Sequence, residues 1–197
     1  MESFIQSLES AKRVKIIVGR TVPRTFVVQQ LLLESKSEYF VEALQAQHLS
    51  TKPEAGLLIF ADDDPAALEM LLFWMYKGHL PKDALRNAVI HGVRAWALGN
   101  RLGLPDIQNW VMLAMVRWSY SWFFDTHTLR EAVKSSAPGS LMRKVLAEET
   151  IVQPGSRQLQ PAELGGLDGH GFLDQVLEMH FAKIGDLRQE RGLDDDG

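Results

Sequence analysis

The sequence predicts an α+β fold: a small β-sheet wrapped by a cluster of α-helices, with additional helices towards the C-terminus. Three observations carry this. Short β-branched runs stop at turn residues near the start of the chain. Helix-period apolar stretches with recognisable caps follow them. Beyond residue 118 the composition shifts towards Gly, Pro and acid.

Val14-Lys15-Ile16-Ile17-Val18 ends at Gly19 and reads as a strand. Phe26-Val27-Val28 is close enough to pair with it as a hairpin. Leu31-Leu32-Leu33, followed by Glu34-Ser35-Lys36-Ser37, predicts a short helix and a break, with Ser37 as the N-cap of a helix carrying Tyr39, Phe40, Ala43 and Leu44. Leu57-Leu58-Ile59-Phe60 has no polar position, which predicts a third strand buried on both faces.

The best-marked helix comes next. Asp62-Asp63-Asp64 supplies caps and acids, Pro65 suits the first helical position, Leu68, Leu71, Leu72 and Met75 form an apolar face, and Gly78 closes the helix. The three aspartates read as capping rather than as a metal site, because no other ligand group lies near them in sequence. Leu85, Val89, Val93, Trp96 and Ala97 keep helical spacing up to Gly99, and Pro105-Asp106 opens a partner helix through Ile107, Val111, Met112 and Met115. Phe40, Leu44, Leu71, Leu72 and Met75 are the expected core, since two helical faces and the third strand must cover one another.

Further on, Asp125 or Thr126 caps a helix with Leu129, Ala132 and Val133. Ser140 caps one with Leu141, Val145 and Leu146, and Phe172, Val176, Met179 and Ile184 mark a last helix. Residues 1–118 hold 13 Lys+Arg against 12 Asp+Glu, and residues 119–197 hold 8 against 13, so the acidic excess is C-terminal. The expected organisation is a domain at 12–118, C-terminal helices packed on it at 119–152, a flexible linker at 153–171, and a helix with an acidic tail at 172–197.

Several function classes lose support. The chain has no cysteine, which excludes disulfides and thiolate metal sites. A net charge of −4 gives no reason to expect nucleic acid, and no apolar run approaches a membrane span of about 20 residues. There is no Gly-x-Ser-x-Gly, phosphate loop or His-Glu-x-x-His, so no catalytic residue, cofactor site or metal site is assigned. Gly165–Gly171 does not fit a dinucleotide-binding pattern and follows no strand. Glu178 and His180 point in different directions on a helix and read as surface residues. His127 reads as a local cap or pairing group. Trp118 and Trp122, at i,i+4, and Trp110 read as packing between the domain and its C-terminal helices, or as an interface anchor.

Four stretches in order resemble the BTB/POZ family, most closely its fungal members. They are Val14–Gly19 with Arg24–Val28, then Leu31–Phe40, then Asp62–Gly78, whose acidic cap, helix and apolar-x-Tyr-x-Gly ending are the most specific, and then Ala95–Pro105. The resemblance covers residues 12–118 and implies a non-enzymatic, intracellular (cytoplasmic or nuclear) protein-interaction module, an adaptor or oligomerisation domain. Departures narrow this. Gln29-Gln30 replace the family's histidine and basic residue, and Ala11-Lys12-Arg13 lack its aspartate, which removes the charged pocket of transcription-factor members. Gln47-His48-Leu49-Ser50-Thr51 lack the glutamate of cullin-binding members, so the alternative of a substrate adaptor for a cullin-type ubiquitin ligase lacks its motif. A small helical enzyme is a second alternative, without a convergent polar cluster in its favour.

The expected partner is a second copy of the chain. Phe4, Ile5 and Leu8 form an apolar stripe on a short N-terminal helix that must dock on something, either a second subunit or its own domain, or stay disordered. Together with Leu31 and Leu32 they make the candidate self-association interface.

Overall fold

A computed structural model of the chain describes residues 12–48, 56–81, 89–118, 126–152 and 171–190. Among them are eight helices and one three-stranded sheet, a mixed α+β architecture. The chain divides into two compact units, Met1–Met115 and Val116–Gly197.

The first unit is built on the sheet. Strand β1 (Arg13–Val18) pairs antiparallel with β2 (Arg24–Gln29), from Arg13 opposite Gln29 to Val18 opposite Arg24. Strand β3 (Leu57–Phe60) runs parallel to β1, with Lys15 beside Leu57 and Val18 beside Phe60, so the order is β2-β1-β3. Gly19 leaves β1 at φ +91°, a conformation that disfavours any residue with a Cβ. Alternation sends Val14, Ile16, Val18, Val28, Leu58 and Phe60 into the core. Helices α1 (Gln30–Lys36), α2 (Glu38–His48), α3 (Pro65–Lys77) and α4 (Val89–Arg101) follow, and α5 (Pro105–Trp118) begins within this unit. Phe40, Leu44, Leu71, Leu72 and Met75 are all buried, as expected.

Four expectations need correction. Strand β3 is an edge strand that is open on one face, where Ile59 is 63% exposed. Its unbroken apolar run reflects its short length rather than double burial. Ser37 does separate α1 from α2, but its hydroxyl does not cap α2. It donates to the carbonyl of Leu102 at 2.5 Å, while its own carbonyl accepts from the Phe40 N–H. Gly99 does not end α4. It lies inside the helix, where a Cβ would stand 2.7 Å from Ile107 Cγ2, and the left-handed stop is Gly103 at φ +66°. Trp96 and Ala97 are only half-buried, and the inward residues of α4 are Val93, Ala95 and Leu98. Leu85 lies outside the described residues.

The second unit contains α6 (Thr126–Ser135), α7 (Leu141–Val152) and α8 (Phe172–Glu190). Leu129, Ala132 and Val133 are buried along α6. The Ser140 hydroxyl caps α7 by accepting from the Arg143 N–H at 3.3 Å. Leu146 is buried as expected, but Leu141 is 59% exposed and Val145 half-buried, and Met142 and Ala147 take the other inward positions of α7. Arg143 is buried as well. Its guanidinium donates to the carbonyls of Ser136 at 3.0 Å and Val133 at 3.1 Å, placing a cation at the negative end of α6. Phe172 is fully buried and Val176 and Met179 half-buried, whereas Glu178 and His180 are exposed. His127 is exposed and Trp110 half-buried. Of the expected linker at 153–171 only Gly171 is described; the side chains of Trp118 and Ile184, Trp122, and the acidic tail from 191 on lie outside the described residues.

Candidate interaction surface

Helix α1 starts directly from the last residue of β2, so the strand fixes its position. The Gln30 N–H donates to the carbonyl of Lys12 at 2.8 Å, which ties the helix to the entry of β1. Gln30 Nε2 donates to Glu34 Oε1 at 2.7 Å one turn later. At the far end the Lys36 ammonium lies 5.7 Å from the centre of the Trp74 ring on α3. Of the three leucines, Leu33 is the anchor, fully buried. Leu32 is half-buried, and Leu31 is 73% exposed. A helix of two turns held by one leucine therefore presents another to solvent. Of the sequence-predicted interface residues, Leu31 and Leu32 lie here, on one short helix. Phe4, Ile5 and Leu8 lie outside the described residues.

The aspartate triplet forms a second cluster. Asp64 Oδ1 accepts the Ala66 N–H at 2.9 Å and so caps α3, while Oδ2 receives Arg94 Nη1 at 2.9 Å and meets His91 Nδ1 at 2.7 Å. Burial pushes the Asp64 carboxyl upward in pKa. The hydrogen bonds from Arg94, His91 and Ala66, with the charge on His91, outweigh that and hold it below its ordinary value. Asp63 pairs with Arg101, whose guanidinium also lies 5.8 Å from the Phe60 ring centre. Asp62 pairs with Arg20 at 2.8 Å, but both side chains are 73% exposed and that pair contributes little.

The capping assigned from sequence thus holds for Asp64 alone. The other two aspartates pair with cations on the β1–β2 turn and on α4. The signal for α4 was present in the sequence, since His91, Arg94 and Arg101 fall on one helical face. No group of three or more His, Cys, Asp or Glu suited to a metal ion occurs among the described residues. Beside the cluster an open cleft of about 250 Å³ runs along α3, lined by Ala66, Glu69, Met70, Phe73, Leu80, Pro81 and His91. Glu69 is held there by Arg24 of β2 at 2.6 Å.

Among the described residues, no helix is long and apolar enough to cross a membrane. A scan against protein-family models matches none, and a search of curated proteins returns no relative.

Proposed function

We propose that this chain is a BTB/POZ-like protein-interaction module that self-associates through helix α1. The observation that carries the reading is the exposure of Leu31, at 73%, on a helix rigidly tied to β1 and to the core by Leu33. An exposed leucine on a fixed scaffold offers apolar area at little conformational cost. Two copies of α1 facing each other around a twofold axis would bury Leu31 against its own counterpart and bring Leu32 to the edge of the contact. The work is burial of apolar surface rather than bond chemistry. The order of elements supports this reading: a hairpin, two short helices, a parallel third strand, and then the helix from Pro65 to Lys77.

Sedimentation of the wild type and of Leu31→Asp at micromolar concentration tests it. The expected result is a dimer that becomes monomeric in the variant and changes little with added salt, because screening acts on charges and not on methyl groups. A monomeric wild type, or a dimer in both proteins, overturns the assignment to α1.

A further inference from the structure

Among the described residues Ser35 is the only exposed serine. Ser37 and Ser136 are buried, and Ser135 and Ser140 are half-buried. Ser35 lies in the last turn of α1, four residues after Leu31, so the two side chains share the outward face of the helix. Its hydroxyl donates to the Leu32 carbonyl of the same helix at 2.9 Å. Two residues further on the backbone is already extended, at Ser37 with φ −151° and ψ 125°.

The charges around this hydroxyl are mostly acidic. Glu34 precedes it, with Oε1 accepting from Gln30 Nε2 at 2.7 Å. Glu38, exposed, follows three residues later. Lys36 is the neighbouring cation in sequence, but adjacent residues on a helix do not face each other. Its ammonium lies 5.7 Å from the centre of the Trp74 ring instead.

We propose that Ser35 is a phosphorylation site and that its phosphate dissociates the α1 pair. This rests on the reading of α1 as the self-association surface. In the reaction the Ser35 Oγ attacks the terminal phosphorus of a nucleoside triphosphate. The new O–P bond replaces the bond to the departing nucleoside diphosphate, and the hydroxyl proton is lost. Glu38 supplies the acid three residues after the target that acid-directed serine kinases read.

A phosphoserine carries a charge of about −1.5 to −2 at neutral pH. Three features of this position make that charge disruptive. It falls at the C-terminal end of α1, where the helix dipole is already negative. It stands next to Glu34, a like charge. It also lies about 6 Å along the helix from Leu31, at the edge of an apolar contact that must shed its water. A twofold axis at Leu31 doubles the effect, because the phosphate of one copy then faces that of the other across the contact.

The test compares the full-length chain carrying phosphoserine at position 35 with the unmodified chain and with Ser35→Gln, by sedimentation at micromolar concentration. The unmodified chain and Ser35→Gln are expected to dimerise equally, and the phosphorylated chain about tenfold more weakly at physiological salt. In about 1 M salt, where screening acts within about 3 Å, the phosphorylated chain should regain the dimer. A phosphorylated chain that dimerises like the unmodified one overturns the inference. So does equal weakening by Ser35→Gln, which would make size rather than charge the cause. Dissociation that salt does not reverse overturns it too, since α1 would then have melted. A second measurement treats the unmodified chain with an acid-directed serine kinase and magnesium ATP and maps the phosphate by mass spectrometry. Phosphate is expected on Ser35, with a slower rate in Glu38→Gln; none on Ser35 overturns the assignment. Leu31→Asp separates this inference from the reading beneath it. A wild type that is monomeric, or a dimer that survives Leu31→Asp, sinks the α1 interface itself. A dimer that Leu31→Asp splits and phosphoserine does not sinks the switch alone.

Discussion

Asp64 and Arg94 meet at 2.9 Å across the start of α3, and the same carboxylate closes the first turn of that helix through the Ala66 N–H. One side chain thus both ends a loop and joins α3 to α4. Its side chain is only 14% exposed, while Arg94 is 34% exposed. Asp64→Ala removes the cap, worth about 1 kcal/mol, and leaves Arg94 without this carboxylate. The expected loss is about 2 kcal/mol in denaturant titrations. Asp64→Asn keeps a capping oxygen and is expected to lose less.

The same residue sets a pH dependence. Its folded-state pKa lies below the ordinary 3.8, so its charged form stabilises the fold. That contribution is complete above about pH 5. It is lost as pH falls through 3.8 towards the lower folded-state value. The melting-temperature gap between wild type and Asp64→Asn should shrink as pH falls below about 5. A gap that is unchanged down to acid denaturation would contradict the ion pair.

Ser37→Ala tests a bond between distant parts of the chain. The Ser37 hydroxyl is buried and donates to the Leu102 carbonyl. Losing it leaves a buried carbonyl short of a donor, at a cost of about 1–3 kcal/mol. Ser37→Thr retains the hydroxyl and should recover part of that, provided the added methyl fits.

Gly99→Ala tests the close approach of α4 and α5. Alanine is the better helix former by about 1 kcal/mol, yet its Cβ would stand 2.7 Å from Ile107 Cγ2. At this separation the clash outweighs the gain in helix propensity. The expected net effect is a destabilisation of about 1–3 kcal/mol, strongly non-additive with Ile107→Ala in a double-mutant cycle.

Leu72→Ala empties a core position that is 6% exposed. A loss of about 2–4 kcal/mol is expected in chemical denaturation, with no change in oligomeric state at concentrations where the variant is folded.

The sequence was most legible where the physics is local. Asp64, Pro65 and Gly78 mark the ends of α3 because cap, fixed φ and left-handed stop each act within a few residues. Ser140 was legible for the same reason. Misreadings came where a distant neighbour decides. Ser37 stands where a cap would stand, but the carbonyl of Leu102, remote in sequence, accepts the hydrogen bond from its hydroxyl. Gly99 has the look of a stop, but it lies inside α4 because Ile107 leaves no room for a side chain there. The apolar run of β3 carries no sign of its edge position, because strand order is set by the crossover and not by composition. In the candidate interface, periodicity places Leu31, Leu32 and Leu33 on one helix but cannot rank them; only the packed fold makes Leu33 buried, Leu32 half-buried and Leu31 exposed.

The parallel pairing of β1 with β3 also bears on how the molecule assembles in time. The hairpin of β1 and β2 closes across a turn of a few residues, from Val18 to Arg24, and can form before anything else. Strand β3 reaches β1 only after α1 and α2 have carried the chain back to the start of the sheet. That closure spends chain entropy before any contact repays it. Folding should thus be nucleated by the hairpin and limited by the arrival of the third strand. Weakening side chains at Leu58 would speed unfolding, while weakening them at Val28 would slow folding.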